Sequence, residues 1–355
     1  MIMANTKLAR NLVKSLRERR GWSQAELARQ AGISRAAVSA IEMNRLVPSV
    51  AAGLALAQVF GCSVEAIFQL PGSDPTEAQW AWPPTQVPCR YWQARVRSRT
   101  LCFPAEVTTT GVGVHDGVFR GNNFLPSGDA DPETTLVIAS CDPAVGLLAS
   151  AYAHASGFRM LTLQRSSRQA LLLLGEGLVH AAGIHYATAN EPSDNGRAVR
   201  DTLGPGYRLL RVARWQEGLS LAPASLVATV GAALRARLRW VGREPGSAAR
   251  ACLDELRPNR PPPRRLARDH RGVAEAVRCG WADVGVCHRL AAEEAGLRFF
   301  DVRDEHFDLC YPASSAGDPR LAALVRVVRS VSYRRLLGEI PGYATGQTGE
   351  VQDAG

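Results

Sequence analysis

The stretch that decides the fold of the N-terminal region is GWSQAELARQAGISRAAVSAIE, residues 21–42. Within it, Ser23 precedes a run of helix-forming residues and is followed at the third position by Glu26, which is the pattern of a capping box. Gly32 ends this first run, and Ser34 begins a second one after a short turn. The sequence therefore predicts two short helices joined by a tight turn, which is the helix-turn-helix arrangement.

The region before this stretch is basic and amphipathic. Between Thr6 and Arg20, apolar residues recur at helical spacing and basic residues occupy the other faces, which predicts a further helix. Residues 1–70 contain nine Lys or Arg and four Asp or Glu, so they carry +5 of the total formal charge of +9. A local basic excess suits a surface that binds nucleic-acid phosphates, although the same pattern also occurs on helices that only face solvent.

Four segments of this region carry a family resemblance: GWSQAELA (21–28), GISR (32–35), VSAIE (38–42) and GCSVEAIF (61–68). They resemble the lambda-repressor-like (Cro/XRE) DNA-binding family over about residues 6–70. In that family the second helix of the motif enters the major groove and reads bases with its N-terminal residues. The resemblance therefore implies a DNA-contacting set of Gln24, Ser34, Arg35, Ala36, Ala37, Ser39, Asn44 and Arg45.

Within that set the resemblance implies two roles. Gln24, Asn44 and Arg45 hold phosphates, and side chains at the start of the second helix face the bases. Ala36 departs from the family pattern, because a long polar residue that can make a paired base contact often stands at this position. Its methyl group can only contact a thymine methyl, so Arg35 binding to guanine is the expected direct readout.

Residues 71–133 are predicted to form a linker followed by a short β-rich segment. The linker includes the Trp- and Pro-rich stretch 80–84. From about 90 to 120, short apolar runs alternate with Gly and charged residues, which indicates a few β-strands packed on the next domain. His115 and Asp116 could form a catalytic pair by composition, but a turn at the end of a strand is the favoured interpretation.

From Thr134 the pattern changes to strand, loop and helix, and it repeats along the chain. This repetition predicts α/β architecture with a parallel sheet, with strands at 136–139, 158–163, 178–182, 238–241 and 282–286. The strands lead into capped helix N-termini, where free backbone N–H groups and the helix dipole suit anions. Two half-domains built in this way can close on a ligand.

Five segments carry a second resemblance: IASCDP (138–143), GLVHAAGIH (177–185), GREPGSAAR (242–250), VAEAV (273–277) after His270, and GWADVG (280–285). Over about residues 134–345 the chain resembles the type II periplasmic-binding-protein-like domain, which occurs in cytoplasmic regulators and is attached to molybdopterin-biosynthesis proteins. The resemblance implies a two-lobed, hinged binding fold. It places in the ligand cleft Ser140, Cys141, Ser166, Ser167, His185, Arg243, Ser247, Arg250 and Asp283.

The chemistry of this set favours an anionic ligand. Serines at helix starts donate hydrogen bonds to anionic oxygens, and an arginine adds paired donors. The resemblance makes molybdate or tungstate the first choice and a carboxylated or phosphorylated metabolite the second. Each residue also has an interpretation without a ligand: the serines as helix caps, His185 as an interior histidine, and Arg243 and Arg250 as partners of Glu244 or Asp254.

The remaining features limit the cellular location and the cofactors that the sequence predicts. The eight cysteines include no CxxC pair and no Cys/His cluster at zinc spacing, so reduced thiols, no metal and no cofactor are expected. The first twenty residues lack the apolar core of a signal peptide, which favours a cytoplasmic protein without a membrane partner. A helix is predicted at 318–337 against the first lobe, and the polar residues 346–355 are predicted to be a flexible tail.

The sequence thus predicts a multidomain protein with an all-α helix-turn-helix domain at 1–70 and an α/β two-lobed periplasmic-binding-protein-like domain at 134–345. The predicted function is a ligand-responsive transcriptional regulator without catalytic residues. It would bind operator DNA as a homodimer, because one such module reads only a half-site.

Two rival functions stay open at this point. One is an enzyme or binding protein of molybdenum-cofactor metabolism with an accessory DNA-binding domain, in which Cys141 and His185 act as nucleophile and base. No Walker loop or dinucleotide fingerprint in the sequence supports that rival. The other is a DNA-binding protein whose C-terminal domain binds no ligand.

Overall fold

The structure is a computed structural model that describes residues 10–43, 45–62, 64–69, 78–106, 113–121, 123–128, 131–188 and 191–354. The chain divides into two compact units, residues 1–77 and residues 78–355. None of the helices in the described ranges is both long and apolar enough to cross a membrane.

The first unit is helical, and its helix-turn-helix is confirmed. Its described elements are β1 (Arg10–Asn11), α1 (Val13–Arg19), α2 (Gln24–Ala31), α3 (Arg35–Glu42), α4 (Val50–Phe60), α5 (Val64–Ile67) and β2 (Phe68–Gln69). Ser23 Oγ accepts a hydrogen bond from the backbone N of Glu26, and Ser34 Oγ accepts one from that of Ala37. Gly32 ends α2 with a φ of 64°, the left-handed conformation that favours glycine.

A buried ion pair ties the helices of this unit together. Arg17 on α1 donates to Oε1 of Glu42 at the end of α3 at 2.6 Å, and Gln24 on α2 donates to Oε2 at 2.8 Å. The side chain of Glu42 is only 3% exposed. Burial alone would raise the pKa of Glu42, but the hydrogen bonds from Arg17 and Gln24 hold that pKa below its usual value. One carboxylate therefore connects three helices.

The first helix is shorter than the predicted span from Thr6 to Arg20. It begins at Val13, because the two residues of β1 pair with β2 in an antiparallel ribbon. The backbone N of Leu12 then donates to the carbonyl of Ile67 at 2.8 Å. Helical spacing of apolar residues was a poor guide here, since long-range strand pairing decides the backbone conformation before Leu12. Residues 1–9 lie outside the described residues.

The second unit begins with a small sheet that includes part of the predicted linker. Its strands are β3 (Gln79–Trp80), β4 (Cys89–Val96), β5 (Arg99–Pro104), β6 (Gly117–Arg120) and β7 (Asn123–Pro126), in the order β3-β5-β4-β6-β7. Trp80 packs on Phe119 and Phe124, with ring centroids at 5.2 and 5.0 Å. The interpretation of residues 80–84 as linker is therefore wrong at Trp80, because this residue lies in a strand and its half-buried ring packs on the sheet. Residues 70–77 lie outside the described residues.

Asp116 joins this small sheet to the rest of the unit. Its buried carboxylate accepts two hydrogen bonds from Arg159, at 2.5 and 2.6 Å, and one from the backbone N of Gln93 at 2.6 Å. These contacts give Asp116 a structural role beside the turn that leads into β6.

The main sheet of the second unit carries two lobes. The first part of the chain supplies β8 (Thr135–Ser140), α6 (Val145–Ser156), β9 (Arg159–Gln164), α7 (Ser167–Gly175), β10 (Ala181–Thr188), α8 (Asp194–Leu203) and β11 (Tyr207–Leu221). There follow α9 (Val230–Arg235), β12 (Trp240–Arg243), α10 (Ala248–Leu256), β13 (Arg265–Ala267), α11 (His270–Arg278), β14 (Val284–His288), α12 (Arg289–Glu294) and β15 (Arg298–Pro312). The chain ends with α13 (Pro319–Arg329), α14 (Val331–Gly338), β16 (Tyr343–Ala344) and β17 (Val351–Asp353).

The strand order is β13-β12-β14-β11-β15-β10-β8-β9, with β16 and β17 also paired to β11. The first lobe contains the parallel strands β8 and β9 and the neighbouring β10, and the second lobe contains the parallel strands β12, β13 and β14. We call β11 and β15, which run antiparallel between the lobes, the hinge strands. The predicted α/β two-lobed fold is confirmed, but its parallel pairing is restricted to the lobes.

The hinge strands were not predicted, because charged residues interrupt their apolar pattern. Arg211 of β11 is buried and pairs with Asp308 of β15 at 2.5 Å. Glu217 and Glu305 are buried in the same two strands. Ion pairing across the strands, rather than alternation of apolar and polar residues, lets these side chains lie inside the unit.

The C-terminal segment is paired to the sheet, which corrects the prediction of a flexible tail at 346–355. The strand β17 lies antiparallel to β11, and Thr348 Oγ1 donates to the carbonyl of Val212 at 2.7 Å. Ala354 is 1% exposed. Polar and glycine-rich composition suggests mobility, but the backbone groups of this segment find partners along β11.

The helix predicted at 318–337 is two helices in the structure. Ser330 ends α13 and begins α14, where its Oγ accepts a hydrogen bond from the backbone N of Tyr333 at 3.2 Å. The pair packs on the first lobe as expected, and Tyr152 of α6 donates to the carbonyl of Arg320 at 3.1 Å.

We predict that Glu42→Gln weakens the first unit by about 2 kcal/mol, because Arg17 loses its charged partner in a largely buried position. Hydrogen exchange of the α2 and α3 amides in the full chain measures the change. The matched control is Glu26→Gln, which removes a carboxylate from the exposed pair with Arg29 and should leave exchange close to wild type.

The same ion pair sets a pH dependence. Since folding lowers the pKa of Glu42, its contribution is complete above the ordinary glutamate pKa of roughly 4.3 and is lost as the pH falls further. Equal exchange in Glu42→Gln and wild type at neutral pH would contradict this role.

Candidate functional site

The helix α3 presents most of the predicted DNA-contacting residues at the surface. Ser34, Arg35 and Ala36 are exposed, while Ala37 and Ser39 are half-buried. Among the described residues, none accepts a hydrogen bond from the Arg35 guanidinium. This arginine is therefore available to a partner outside the unit, as direct readout requires.

The predicted phosphate contacts have different environments. Arg45 is exposed, and Asn44 lies outside the described residues. The side-chain amide of Gln24 donates to Glu42, so it supports the packing of α2 against α3. The structure thus gives Gln24 a role inside the unit and adds no support for a phosphate contact.

The candidate ligand cleft lies between the lobes, where the parallel strands end. Cys141 follows β8, Ser166 and Ser167 open α7 after β9, Arg243 ends β12, and His288 ends β14. All five side chains are buried. Strand ends and helix starts therefore converge on one enclosed region, as expected for this architecture.

The cleft is closed in this structure. Tyr186 on the first lobe donates from its hydroxyl to the carbonyl of Gly246 on the second at 3.2 Å. In the opposite direction, Arg271 Nη1 on the second lobe donates to the carbonyl of Pro143 on the first at 2.7 Å. These two hydrogen bonds hold the lobes together on either side of the buried residues.

Several polar atoms in the closed cleft have no partner among the described residues. Five are donors: Ser166 Oγ, Ser167 Oγ, Arg243 Nη1, His270 Nε2 and His288 Nε2. A buried donor without a partner costs about 1–3 kcal/mol, so five of them in one region indicate a place built for acceptor atoms.

The backbone decides which ring nitrogens of two histidines carry protons. The backbone N of His288 donates to Nδ1 of His270 at 3.1 Å, and that of Leu290 donates to Nδ1 of His288 at 2.9 Å. Burial lowers the pKa of both rings, that of His288 to about 3, so both are neutral. A nitrogen that accepts a hydrogen bond has no proton, so each Nε2 carries one and is a donor.

A third histidine has the opposite arrangement. His185 Nδ1 lies 2.6 Å from Oε2 of Glu305, and its Nε2 lies 3.1 Å from Sγ of Cys141. Burial opposes a charge on this ring, but Cys141 and Glu305 raise the pKa of His185 well above its usual value. Glu305 also accepts hydrogen bonds from Trp215 Nε1 at 3.2 Å and Arg303 Nε at 2.8 Å.

Two further acids complete the cleft. Asp142 accepts from the Tyr343 hydroxyl and the backbone N of Ala144 with one oxygen, while its Oδ2 has no partner among the described residues. Both oxygens of Glu217 are buried without a hydrogen bond, and Arg303 lies 3.8 Å away. Burial raises the pKa of both acids, and the charge of Glu305 raises that of Glu217 further.

Two of the predicted cleft serines have local partners. Ser140 Oγ accepts from the backbone N of Asp142 at 3.0 Å and stabilises the turn after β8. Ser247 Oγ accepts from the backbone N of Arg250 and donates to the carbonyl of Glu244, so it caps α10. Both serines shape the cleft wall, and neither presents an unpartnered group to it.

Two other predicted residues form ion pairs with oppositely charged neighbours. Arg250 forms two hydrogen bonds with Asp254 on the outer part of α10, at 2.8 and 2.9 Å. Asp283 pairs with Arg239 at 2.6 Å just before β14, at the opposite end of the strand from His288. Asp283 therefore lies away from the cleft, whereas Arg250 also reaches the carbonyl of Arg243 with Nη1 at 3.5 Å, so its place in the cleft stays a prediction.

Sequence reasoning missed the two histidine donors and the hinge-strand acids. His270 begins α11 and His288 ends β14, so the rule that found Ser166 would also have found them. Glu217 and Glu305 carry no such signal, because each lies in the middle of a long strand that was not predicted.

A cavity of about 520 Å³ opens beside the cleft. Its walls include Trp82 and Trp92 from the small sheet, Asp142 from the first lobe, and Arg268 and Arg271 from the second. This volume lies within the range of small-molecule sites. Because Asp142 follows Cys141 in the chain, the cavity lies next to the buried cluster.

Comparisons with known proteins agree with this architecture. The family described as PBP superfamily domain matches residues 149–329, more than half of the chain, and the helix-turn-helix family matches residues 13–67. The uncharacterized protein YvgK of Bacillus subtilis is 25% identical over 233 residues, which cover 63% of this chain and 75% of that protein. The uncharacterized HTH-type transcriptional regulator YgzD of the same organism is 39% identical over 61 residues, which cover 17% of this chain and 92% of that protein.

Solved structures with a similar fold include binding proteins of transporters. One is a putative phosphate ABC transporter substrate-binding protein with bound phosphate from Clostridium perfringens, with 11% identity, a TM-score of 0.47, and coverage of 58% of this chain and 97% of that chain. Another is the binding protein component of an ABC phosphonate transporter from Pseudomonas aeruginosa, with 13% identity, a TM-score of 0.43, and coverage of 62% and 81%.

The family match is to the superfamily as a whole, so the molybdopterin-associated type stays a prediction. The match at residues 13–67 and the likeness to YgzD concern the helices α1 to α5. The chain belongs to the PBP superfamily and carries a helix-turn-helix domain of the HTH-type transcriptional regulators in its N-terminal region.

Proposed function

We propose that the protein is a transcriptional regulator that binds operator DNA with its first unit and a small anion in the cleft of its second. The ligand part rests on one observation, the five buried donors without partners that come from both lobes. In this proposal the cleft binds and releases its ligand without chemical turnover.

The donor set suits an anion rather than a cation. Ser166 and Ser167 lie at the start of α7, where the helix dipole also favours negative charge. Arg243 adds a positive charge, and His270 and His288 add neutral N–H groups. Because the two histidines accept backbone hydrogen bonds through Nδ1, their Nε2 atoms have no free lone pair for a metal ion.

The two acids in the cleft are compatible with such a ligand. Burial raises the pKa of Asp142 and raises that of Glu217 well above its usual value, so a negative charge on either side chain is less favoured than in water. A protonated carboxyl donates a hydrogen bond instead of repelling an anion. We therefore propose a fully ionised oxyanion, molybdate or tungstate first, and a carboxylated or phosphorylated metabolite second.

Ligand binding and lobe closure are coupled in this proposal. Ser166 and Ser167 belong to the first lobe, while Arg243, His270 and His288 belong to the second. A ligand that contacts donors of both lobes binds the closed arrangement more tightly than the open one. This difference in affinity shifts the equilibrium toward closure. Closure is the event that we propose the regulator transmits to its DNA-binding domains.

For the DNA part, we propose that the protein acts as a homodimer. One helix-turn-helix module reads a half-site, and two modules about 34 Å apart read successive major grooves. Arg35 is the proposed base-reading residue, since its side chain is exposed at the start of α3. Ala36 is proposed to contact a thymine methyl, and Arg45 a phosphate.

We predict that at least one oxyanion of a panel raises the melting temperature of the full chain. The panel contains molybdate, tungstate, sulfate, phosphate and methylphosphonate. At a concentration a hundredfold above Kd, the expected stabilisation is about 2.7 kcal/mol. Ser167→Ala removes one unpartnered donor and should weaken the effective anion about tenfold, as measured by calorimetric titration.

The control for this prediction is Arg278→Ala, which removes a guanidinium from an exposed pair with Glu275 and should leave the affinity unchanged. Failure of every anion in the panel would refute the ligand part and favour a domain that binds nothing. Equal stabilisation by molybdate and sulfate would remove the preference for molybdate.

We also predict that Arg35→Ala weakens binding to DNA fragments selected by the wild-type protein by about 1–3 kcal/mol. Fluorescence anisotropy at one fixed salt concentration measures this loss. Arg29→Ala is the matched control, because it removes the same charge from an exposed position on α2. Equal losses for the two variants would show that charge alone, and not base readout, governs binding.

The regulator proposal as a whole requires that the two sites communicate. An anion that binds the cleft should change operator affinity, and operator DNA should change anion affinity by the same factor. An anion that stabilises the second unit but leaves operator affinity unchanged would argue against a sensory role.

A further inference from the structure

Cys141, His185 and Glu305 form a continuous chain of hydrogen-bonded side chains in the closed cleft. Sγ of Cys141 lies 3.1 Å from Nε2 of His185, whose Nδ1 lies 2.6 Å from Glu305. All three are at most 2% exposed. Trp215 and Arg303 hold the carboxylate from the hinge strands, so the imidazole has a fixed orientation toward the sulfur.

The positions of the protons on Cys141, His185 and Glu305 determine the reactivity of these three side chains. His185 donates from Nδ1 to the carboxylate of Glu305, so one proton is left between Nε2 and Sγ. The negative charge of Glu305 favours that proton on the nitrogen, and the raised pKa of His185 agrees with this placement. The imidazole is thus positioned to take the proton of Sγ, which would leave the thiolate, the nucleophilic form of cysteine.

The other buried cysteines lack this arrangement. Burial raises the pKa of Cys102, Cys252, Cys287 and Cys310. Among the described residues, Cys141 is the cysteine whose sulfur lies within hydrogen-bonding distance of a histidine. The contact with His185 therefore distinguishes the thiol of Cys141 from those of the other buried cysteines.

One donor for a developing negative charge, on His270, lies near the sulfur of Cys141, and two more lie in the same cleft. A ring nitrogen of His270 lies within 4.8 Å of the donor atoms of Cys141 and His185. Its Nε2–H has no partner, and Ser167 Oγ and Arg243 Nη1 are also unpartnered in the cleft. A nucleophile next to fixed N–H and O–H donors is the arrangement that stabilises addition to a carbonyl group, because its oxygen becomes negative.

We infer that Cys141 forms a reversible covalent bond with a ligand that carries an aldehyde beside its anionic group. This inference rests on the proposed function, because the donor set of the same cleft holds the anionic group. It takes the second ligand class of that proposal, the carboxylated or phosphorylated metabolite, and specifies it as an aldehyde that Cys141 captures.

The step is an addition and balances without a further reactant. The thiolate sulfur of Cys141 bonds to the aldehyde carbon as the carbon–oxygen π bond breaks. The oxygen takes the proton from Nε2 of His185, which leaves a neutral thiohemiacetal and a neutral imidazole. No group leaves and no electron is transferred, and the reverse step returns the proton to His185 and releases the ligand.

The neighbouring cavity offers room for the rest of the ligand. Asp142, the residue after Cys141, forms part of its wall, and its Oδ2 has no partner. Trp82 and Trp92 line the same cavity of about 520 Å³. A ligand bonded to Cys141 can therefore extend toward these rings without entering the packed interior of either lobe.

The test uses the full chain and two matched pairs of probes. Glyoxylate and glycolate differ in the aldehyde alone, as do glycolaldehyde phosphate and 2-hydroxyethyl phosphate. With the aldehyde carbon labelled with carbon-13, we expect an NMR signal of a sulfur-bound carbon on the protein. Cys141→Ser should abolish this signal, whereas Cys310→Ser, at a buried cysteine without a histidine partner, should retain it.

Affinities separate this inference from the proposed function. The aldehyde should bind at least tenfold more tightly than its matched alcohol, and Cys141→Ser should remove that difference while the alcohol still binds. If an oxyanion or alcohol of the panels binds but neither aldehyde forms a sulfur–carbon bond, the covalent inference is overturned and the proposed function stands. If no panel anion, aldehyde or alcohol binds, both are overturned.

The positioning role of His185 has its own readout, which does not depend on the ligand. Iodoacetate alkylates thiolates with loss of iodide, and its rate at Cys141 is followed by peptide mass spectrometry. We expect His185→Gln to slow this alkylation about tenfold at pH 7 and to change its pH dependence, because the variant lacks the imidazole that takes the thiol proton. An unchanged rate and pH profile would overturn the role.

Discussion

The carboxylate of Glu305 is the charge around which the interior of the second unit is arranged. It is fully buried and accepts hydrogen bonds from His185 of the first lobe and from Trp215 and Arg303 of the hinge strands. A buried carboxylate that loses its partners costs several kcal/mol, so the chain can accommodate Glu305 only when these elements meet. The position of the cleft wall and the orientation of His185 both follow from this constraint.

Three histidines in the same cleft have different chemistry because each has a different partner at Nδ1. In His270 and His288 this nitrogen accepts a backbone N–H, so the buried Nε2–H of each neutral ring is a donor. In His185 the same nitrogen lies 2.6 Å from the carboxylate of Glu305, and its other ring nitrogen lies 3.1 Å from Sγ of Cys141. The surrounding hydrogen bonds, and not the residue type, thus favour an anion site over a metal site.

Local patterns predicted those features whose interactions are local. The caps Ser23 and Ser34, the turn at Gly32 and the alternation of strand and helix in the lobes all depend on residues within about four positions of one another. Features made by distant residues were missed or misjudged. Trp80 lies in a strand instead of a linker, and the tail predicted to be flexible pairs with β11, because each backbone finds its partner far along the chain.

The same distinction between local and long-range interactions separates the cleft residues that were predicted from those that were missed. The sequence by itself determined the helix-turn-helix, the two-lobed fold and the position of Cys141, Ser166 and Ser167 at strand ends and helix starts. Only the tertiary structure decided that His185 meets Glu305 across 120 residues of chain. A hydrogen bond within one turn is set by neighbouring residues, whereas a buried charge finds its partner only after the strands between them have packed.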